Sequence, residues 1–274
     1  MTKDRDGNVV VVTPIRDTPA ERNDIKPGDI IEKVNGEECK SLDIDVVSNK
    51  IKGKENTEVN LEISRNGEII NKTITRKKVI IPYVESEILE ENIGYIKIIS
   101  FDGNSSTEFE KQFKELKSRG IKSLIIDVRN NGGGLVSKVK EIAEFILPEN
   151  KIIMKEIDRN GKETEAKTKN KDKIDMEIVL LVNEHSASAS EILTACLKDN
   201  NAAKIVGKTT YGKGVMQEVI QLSSGDALKI TIEEFLTPNG DKINKVGIKP
   251  DYEVEQDVQV EQDLQLQKAI ELLK

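Results

Sequence analysis

Two short segments, 121-IKSLIIDVR-129 and 178-IVLLVN-183, are apolar through their middles, with no polar residue at alternate positions. A strand wetted on one face alternates apolar and polar side chains; one covered on both faces does not. Helix patterns separate these runs. The strand 94-GYIKIISF-101 leads to 107-TEFEKQFKELKSRG-120, which carries Phe109, Phe113 and Leu116 at i, i+4, i+7 spacing and stops at Gly120. Ser105, Ser106 and Thr107 are all able to cap it. After 130-NNGGG-134 comes a helix over 135–147, and after the second apolar run a helix from Ser188 leads to the strand 203-AKIVG-207. Repeated strand–helix–strand units imply right-handed crossovers and an α/β core with a mixed sheet and helices from about Val79. A ribbon turning at Asn160-Gly161, strands within 215–236 and a closing amphipathic helix, 264-LQLQKAIELL-273, complete this part.

The first 78 residues follow a different grammar. The run 9-VVVVT-13 reads as a strand, 18-TPAER-22 as a short helix with Pro19 in its first turn, and 26-KPGDIIEKVNGEEC-39 as a turn, a strand and an Asn-Gly hairpin. A helix from about Leu42 to Ile51 follows, then two strands joined by Asn66-Gly67. This order, with 26-KPGDIIEKVNG-36, resembles a PDZ domain. The resemblance implies two domains, 1–78 and 79–274. It also implies an amino-terminally truncated PDZ module, because the chain opens about where the loop that grips a peptide carboxylate should have ended.

A net charge of -7, a pI near 5.2 and 3% aromatic residues argue against a nucleic-acid partner. Cys39 and Cys196 match no metal or redox spacing, no apolar run reaches the roughly 20 residues of a membrane span, and 1-MTKDRDGN-8 is not a signal peptide. His185 is the single histidine, so any Ser-His-Asp or multi-histidine metal chemistry would have to use it. It sits three positions before Ser188 on the same lead-in and reads as a loop residue; no metal or other cofactor is expected.

Three serines at alternate positions, Ser186, Ser188 and Ser190, stand immediately before an apolar-periodic run. Ser188 and Glu191 have the spacing of a capping box, which is one complete explanation. A serine at a helix mouth behind a buried strand also sits among free amides and the positive end of the helix dipole, which suits a nucleophile. The amide of Ala189 is placed to stabilise an oxyanion, and Gly132, Gly133 and Gly134 put bare amides at a neighbouring strand's carboxyl edge. The glycines match neither a phosphate-binding loop nor a dinucleotide fingerprint. Without a usable histidine the base must be Lys, Asp or Glu. Lys213, between two glycines, is either a solvated turn residue or such a base. Lowering a lysine from about 10.4 to about 7 by burial costs roughly 4–5 kcal/mol, within a domain's reach.

The run 183-NEHSASASEILTACLKDNNAAKIVGKTTYGKGVMQ-217, with 126-IDVRNNGGG-134 and 237-TPNGDKINKVGIKPDYEV-254, resembles the carboxyl-terminal processing peptidases, a PDZ-containing Ser-Lys protease family. The resemblance spans essentially the whole chain. It implies Ser188 as nucleophile, Lys213 as general base, Gln217 as the lysine's orienting partner, Asp199 as a supporting acid, and an oxyanion hole from Ala189 and either Gly133 or Gly134, with Gly134 favoured. It further implies a crotonase-like core, protein or peptide substrates with apolar carboxyl termini cut through an acyl-enzyme, PDZ docking coupled to activation, a possible homo-oligomer, and an extracytoplasmic or membrane-associated full-length protein. Two other readings compete: a catalytically unassembled peptide-binding scaffold, and an acyl-thioester enzyme with a glycine-amide oxyanion hole.

Overall fold

A computed structural model describes the chain except residues 5, 13, 16–17, 80–81, 172, 222–225 and 257–261; the side chains of 217–219 and 229 are also undescribed. The chain divides into two compact units, Met1–Ile81 and Pro82–Lys274.

The first unit holds β1 (Thr2–Lys3), β2 (Val9–Val10), α1 (Pro19–Arg22), β3 (Ile30–Val34), β4 (Glu37–Glu38), α2 (Ile44–Ile51), β5 (Glu58–Arg65) and β6 (Glu68–Thr75). Its antiparallel sheet runs β1-β2-β3-β5-β6, with β4 paired to β3 through the turn at Asn35-Gly36. The second strand is shorter than the valine run suggests. Val9 and Val10 pair with Ile31 and Ile30, whereas Val11 turns to bond the Asp29 carbonyl and Val12 is exposed; Thr13 lies outside the described residues. Asp29 is fully buried and anchors the unit's polar interior. It takes the Lys26 amide at 2.8 Å, and Arg65 grips it with two nitrogens at 2.7 and 2.9 Å.

The second unit adds β7 (Val84–Ile88), β8 (Ile93–Ile98), α3 (Ser105–Ser118), β9 (Ser123–Asp127), α4 (Val136–Ile146), β10 (Ile152–Asp158), β11 (Glu163–Lys167), β12 (Glu177–Val182), α5 (Ala189–Asp199), β13 (Lys204–Gly207), β14 (Val215–Gln221), β15 (Ala227–Leu236), β16 (Tyr252–Glu253) and α6 (Leu264–Glu271). One sheet runs β16-β13-β12-β9-β8-β7, parallel throughout except for β7. Leu124, Ile126, Leu180 and Val182 pack with Phe109, Ile142 and Ile192 of α3, α4 and α5. Their neighbours in sequence, Ile125, Val179 and Leu181, face Ala269, Leu266 and Ile270 of α6. Cover on both faces is why these strands carry no alternation. A second, antiparallel sheet runs β11-β10-β15-β14, joining two ribbons far apart in sequence. Its inner residues Ile153, Met154 and Phe235 are buried in the main core.

The cap of α3 differs from expectation. Asn104 is the capping residue, while Ser105 and Ser106 lie buried in the first turn, because the chain folds over Gly103 and the Ser105 amide bonds the Asp102 carbonyl. For function, the parallel register of β9, β12 and β13 matters most. It aligns Asp127 with Leu181 and Val182 with Gly207, so the segments after all three strands emerge at one carboxyl edge.

Candidate active site

The segment leaving β12 is pinned by its outer serines. Ser186 is fully buried; its hydroxyl donates to the Val128 carbonyl at 2.8 Å and accepts from the Asn183 amide at 3.0 Å. Ser190, also buried, donates to the Asn131 carbonyl at 2.9 Å. Both hydroxyls are spent on tying the turn to the end of β9. Ser188 is different. It is half-buried at the mouth of α5, with φ 57° and ψ −114° and no side-chain cap hydrogen bond. A non-glycine residue held in that conformation costs roughly 1–3 kcal/mol and persists only where its surroundings enforce it. The residues of a capping box are present, and Glu191 reaches back to the Ser188 amide at 2.9 Å. The Glu191 amide, however, bonds the Ser188 carbonyl at 2.9 Å, leaving the hydroxyl out of the cap.

The loop 130-NNGGG-134 comes to this serine through Asn131. Its buried side chain donates to the Ile98 carbonyl at 2.8 Å and accepts the Gly133 amide at 2.8 Å, while its own carbonyl takes the Ala187 amide at 3.0 Å. Gly133, at φ +108°, lies so close that an added Cβ would stand 2.8 Å from Cβ of Ser188 and 3.0 Å from the Ala189 nitrogen. At Gly134, which is exposed, an added Cβ would stand 2.7 Å from the Phe101 carbonyl. Among the described residues the Gly133 amide is therefore committed to Asn131, whereas the amides of Gly134 and of buried Ala189 have no acceptor.

Lys213 arrives on the segment after β13. Gly212 and Gly214 flank it because the backbone of 244–247 passes close to both: their added Cβ atoms would crowd the amides of Gly247 and Asn244, and the Lys245 amide bonds the Gly212 carbonyl at 2.8 Å. The stretch 237–254, noted in the sequence as a motif without a role, thus supports the lysine loop. Lys213 is half-buried. Its amide and that of Ser188 bond the same atom, Oε2 of Glu191, at 2.8 and 2.9 Å. Oε1 takes the Gly212 amide at 2.7 Å and the Thr210 hydroxyl at 2.6 Å. One fully buried carboxylate collects four donors and draws the serine and lysine segments together. Sequence reasoning saw Glu191 only as a cap. Its sole signal was the serine-to-glutamate spacing, which says nothing of the lysine loop. Among the described residues no hydrogen bond joins Ser188 Oγ to Lys213 Nζ.

The remaining expected residues separate. Gln217 lies on β14, and its side chain is outside the described residues. Asp199 ends α5, the opposite end from Ser188, and accepts the Asn239 amide at 2.9 Å. His185 is exposed on the turn, its amide held by Asn183. Burial raises both thiols, Cys196 most strongly, which keeps them protonated. Beside the glycine loop, Asp127 takes the Tyr95 hydroxyl at 2.7 Å and ion-pairs with Arg129. Burial and then the neighbouring carboxylate push the Tyr95 phenol up. Burial opposes the Arg129 charge, but Asp263 and Asp127 outweigh it and keep the guanidinium protonated. Among the described residues no three His, Cys, Asp or Glu side chains gather to hold a metal ion. No helix among them is long and apolar enough to cross a membrane.

The sequence profile of Peptidase family S41 matches residues 92–254, and that of the PDZ domain matches residues 10–65. A Staphylococcus aureus protein named "Probable CtpA-like serine protease" is 39% identical over 255 residues, covering 92% of this chain and 51% of its own length. The "Carboxy-terminal processing protease CtpA" of Bacillus subtilis is 35% identical over 254 residues, covering 92% and 54%. The chain thus spans about half the length of the curated relatives it matches. Among solved structures, the photosystem II D1 C-terminal processing protease superposes with a TM-score of 0.61 at 29% identity, over 97% of this chain and 72% of its own.

Proposed function

The chain belongs to Peptidase family S41, and on that premise we propose that it is a serine endopeptidase that cuts protein substrates near their carboxyl termini. Ser188 is the nucleophile and Lys213 the base. In neutral form, Lys213 Nζ takes the Ser188 proton as Oγ attacks the scissile carbonyl, and the electron pair moves to the carbonyl oxygen. The unoccupied amides of Ala189 and Gly134 receive that oxyanion. Collapse breaks the C–N bond, the lysine returns the proton to the leaving amine, and water attacks the acyl-enzyme by the same route. Gln217 orients the lysine, and Asp199 supports the fold rather than the proton transfer. The PDZ unit binds the substrate's apolar carboxyl end and couples its arrival to activation, and the full-length protein works outside the cytoplasm or at a membrane.

The observation that carries this reading is the sharing of Glu191 Oε2 by the amides of Ser188 and Lys213, with Gly133 against the serine. The missing Oγ–Nζ hydrogen bond supports a second reading, an unassembled site in a peptide-binding scaffold. Cleavage of an unfolded protein with an apolar carboxyl end separates the two. Ser188→Ala and Lys213→Ala should each lower turnover by at least about 10⁴-fold with the far-ultraviolet spectrum unchanged. Equal activity in all three proteins would remove the dyad, and binding without cleavage by the unmutated chain would favour the scaffold.

A further inference from the structure

Arg129 stands immediately before the glycine loop, and its guanidinium is shared between two distant parts of the chain. Nε and Nη2 donate to Asp127, at 3.0–3.1 and 2.6 Å. Nη1 donates to Asp263 Oδ1 at 2.8 Å, 134 residues away, and to Gln265 Oε1 at 3.1 Å. Asp263 is at the same time the N-cap of α6, accepting the Leu266 amide at 2.9 Å. Gln265 is 3% exposed and donates to the Val254 carbonyl at 2.9 Å. The first turn of α6 is therefore fastened to the end of β9, one residue from the loop that faces Ser188.

We propose that this first turn of α6 is a positioning element for the oxyanion loop, with Asp263 and Gln265 holding Arg129 and, through its backbone, residues 130–134 against Ser188. The inference rests on the peptidase reading. Charge-assisted hydrogen bonds to a mostly buried guanidinium are stronger than neutral ones, and an unpartnered Nη1 has to reorient or recruit water. Either change tilts the 129–131 backbone. Asn131 then carries the shift onward, since it bonds the Gly133 amide by its side chain and receives Ala187 and Ser190 on its carbonyl. Oxyanion donors act over 2.7–3.1 Å, and a misplacement of about 1 Å costs about 10²-fold in rate. Ground-state binding uses none of these donors, so the loss falls on kcat.

The competing view is that α6 only covers the apolar face formed by Ile125, Val179 and Leu181. Asp263→Asn separates the two, because asparagine caps helices as well as aspartate and leaves that face intact. With a quenched peptide ending in apolar residues, and assayed well below a melting midpoint that falls modestly with the lost ion pair, Asp263→Asn should lower kcat about tenfold with KM within about twofold. Gln265→Met should act in the same direction and Gln265→Glu should retain activity. Hydrogen exchange gives a readout independent of turnover: amides 130–134 should exchange about tenfold faster in Asp263→Asn, with β12 and α5 unchanged. Unaltered loop exchange in both Asp263→Asn and Gln265→Met, or acceleration spread evenly over the second unit, would overturn the proposal. If the loop loosens as expected but the unmutated chain cleaves nothing, the peptidase reading falls and the coupling of α6 to the loop stands.

Discussion

Gly133 shows how little space separates the two loops of the site. A methyl group there would meet Cβ of Ser188 at 2.8 Å and the Ala187 carbonyl oxygen at 2.9 Å, and both neighbours belong to backbone that Asn131 and Glu191 already immobilise. The φ of +108° adds strain for any L side chain. Gly133→Ala should therefore displace the strained serine rather than be absorbed, and kcat should fall about 10²-fold or more. The overall fold, read by far-ultraviolet circular dichroism, should persist. Near-normal kcat in that variant would mean that the loops are not held this tightly. The residue-scale assignments divide along the same line. Ser186 and Ser190 share the alternate spacing of Ser188, but both bury their hydroxyls against carbonyls. Spacing alone does not distinguish Gly133 from Gly134; what separates them is that Asn131 accepts the Gly133 amide. That is a side-chain contact with no trace in composition.

At the scale of elements, the strands β9 and β12 were legible because cover on two faces removes alternation. The start of α5 was legible through Ser188 and Glu191. The pairing of β10 with β15 was not, because register between ribbons some 80 positions apart depends on the core they jointly cover. The same is true of Glu191: its partners at 210, 212 and 213 come from the segment after β13, and only the parallel register of β12 and β13 brings that segment to the helix mouth. The length of α5 also bears on Asp199. Eleven helical residues separate it from the serine by about 16 Å, too far for proton transfer. Its carboxylate instead anchors the turn that begins at Thr237, through the Asn239 amide. Asp199→Ala should lower the melting midpoint by about 2–4 °C, from the loss of about 1 kcal/mol, and leave kcat/KM within about threefold. A loss of 10²-fold at unchanged stability would return Asp199 to the chemistry.

Across the whole molecule, the two units carry different spectroscopic labels. The chain has no tryptophan, and its four tyrosines and five phenylalanines all fall in the second unit. Near-ultraviolet circular dichroism therefore reports Pro82–Lys274, whereas the far-ultraviolet signal reports both units. The first unit depends on Asp29, whose carboxyl is held below its usual range by hydrogen bonds from Arg65, against the opposing effect of burial. A depressed carboxylate contributes stability that is complete above the unfolded value of about 3.9 and is lost as pH falls through the lower folded value. Asp29→Asn mimics the protonated state at every pH. At pH 7 it should lower a far-ultraviolet melting transition while the near-ultraviolet transition holds its midpoint, and the difference from the unmutated chain should shrink as pH falls through the lowered folded-state value. If the near-ultraviolet transition moves together with the far-ultraviolet one, the units unfold as one cooperative body. In that case a charge pair in the PDZ unit also sets the stability of the segment that holds Ser188 and Lys213.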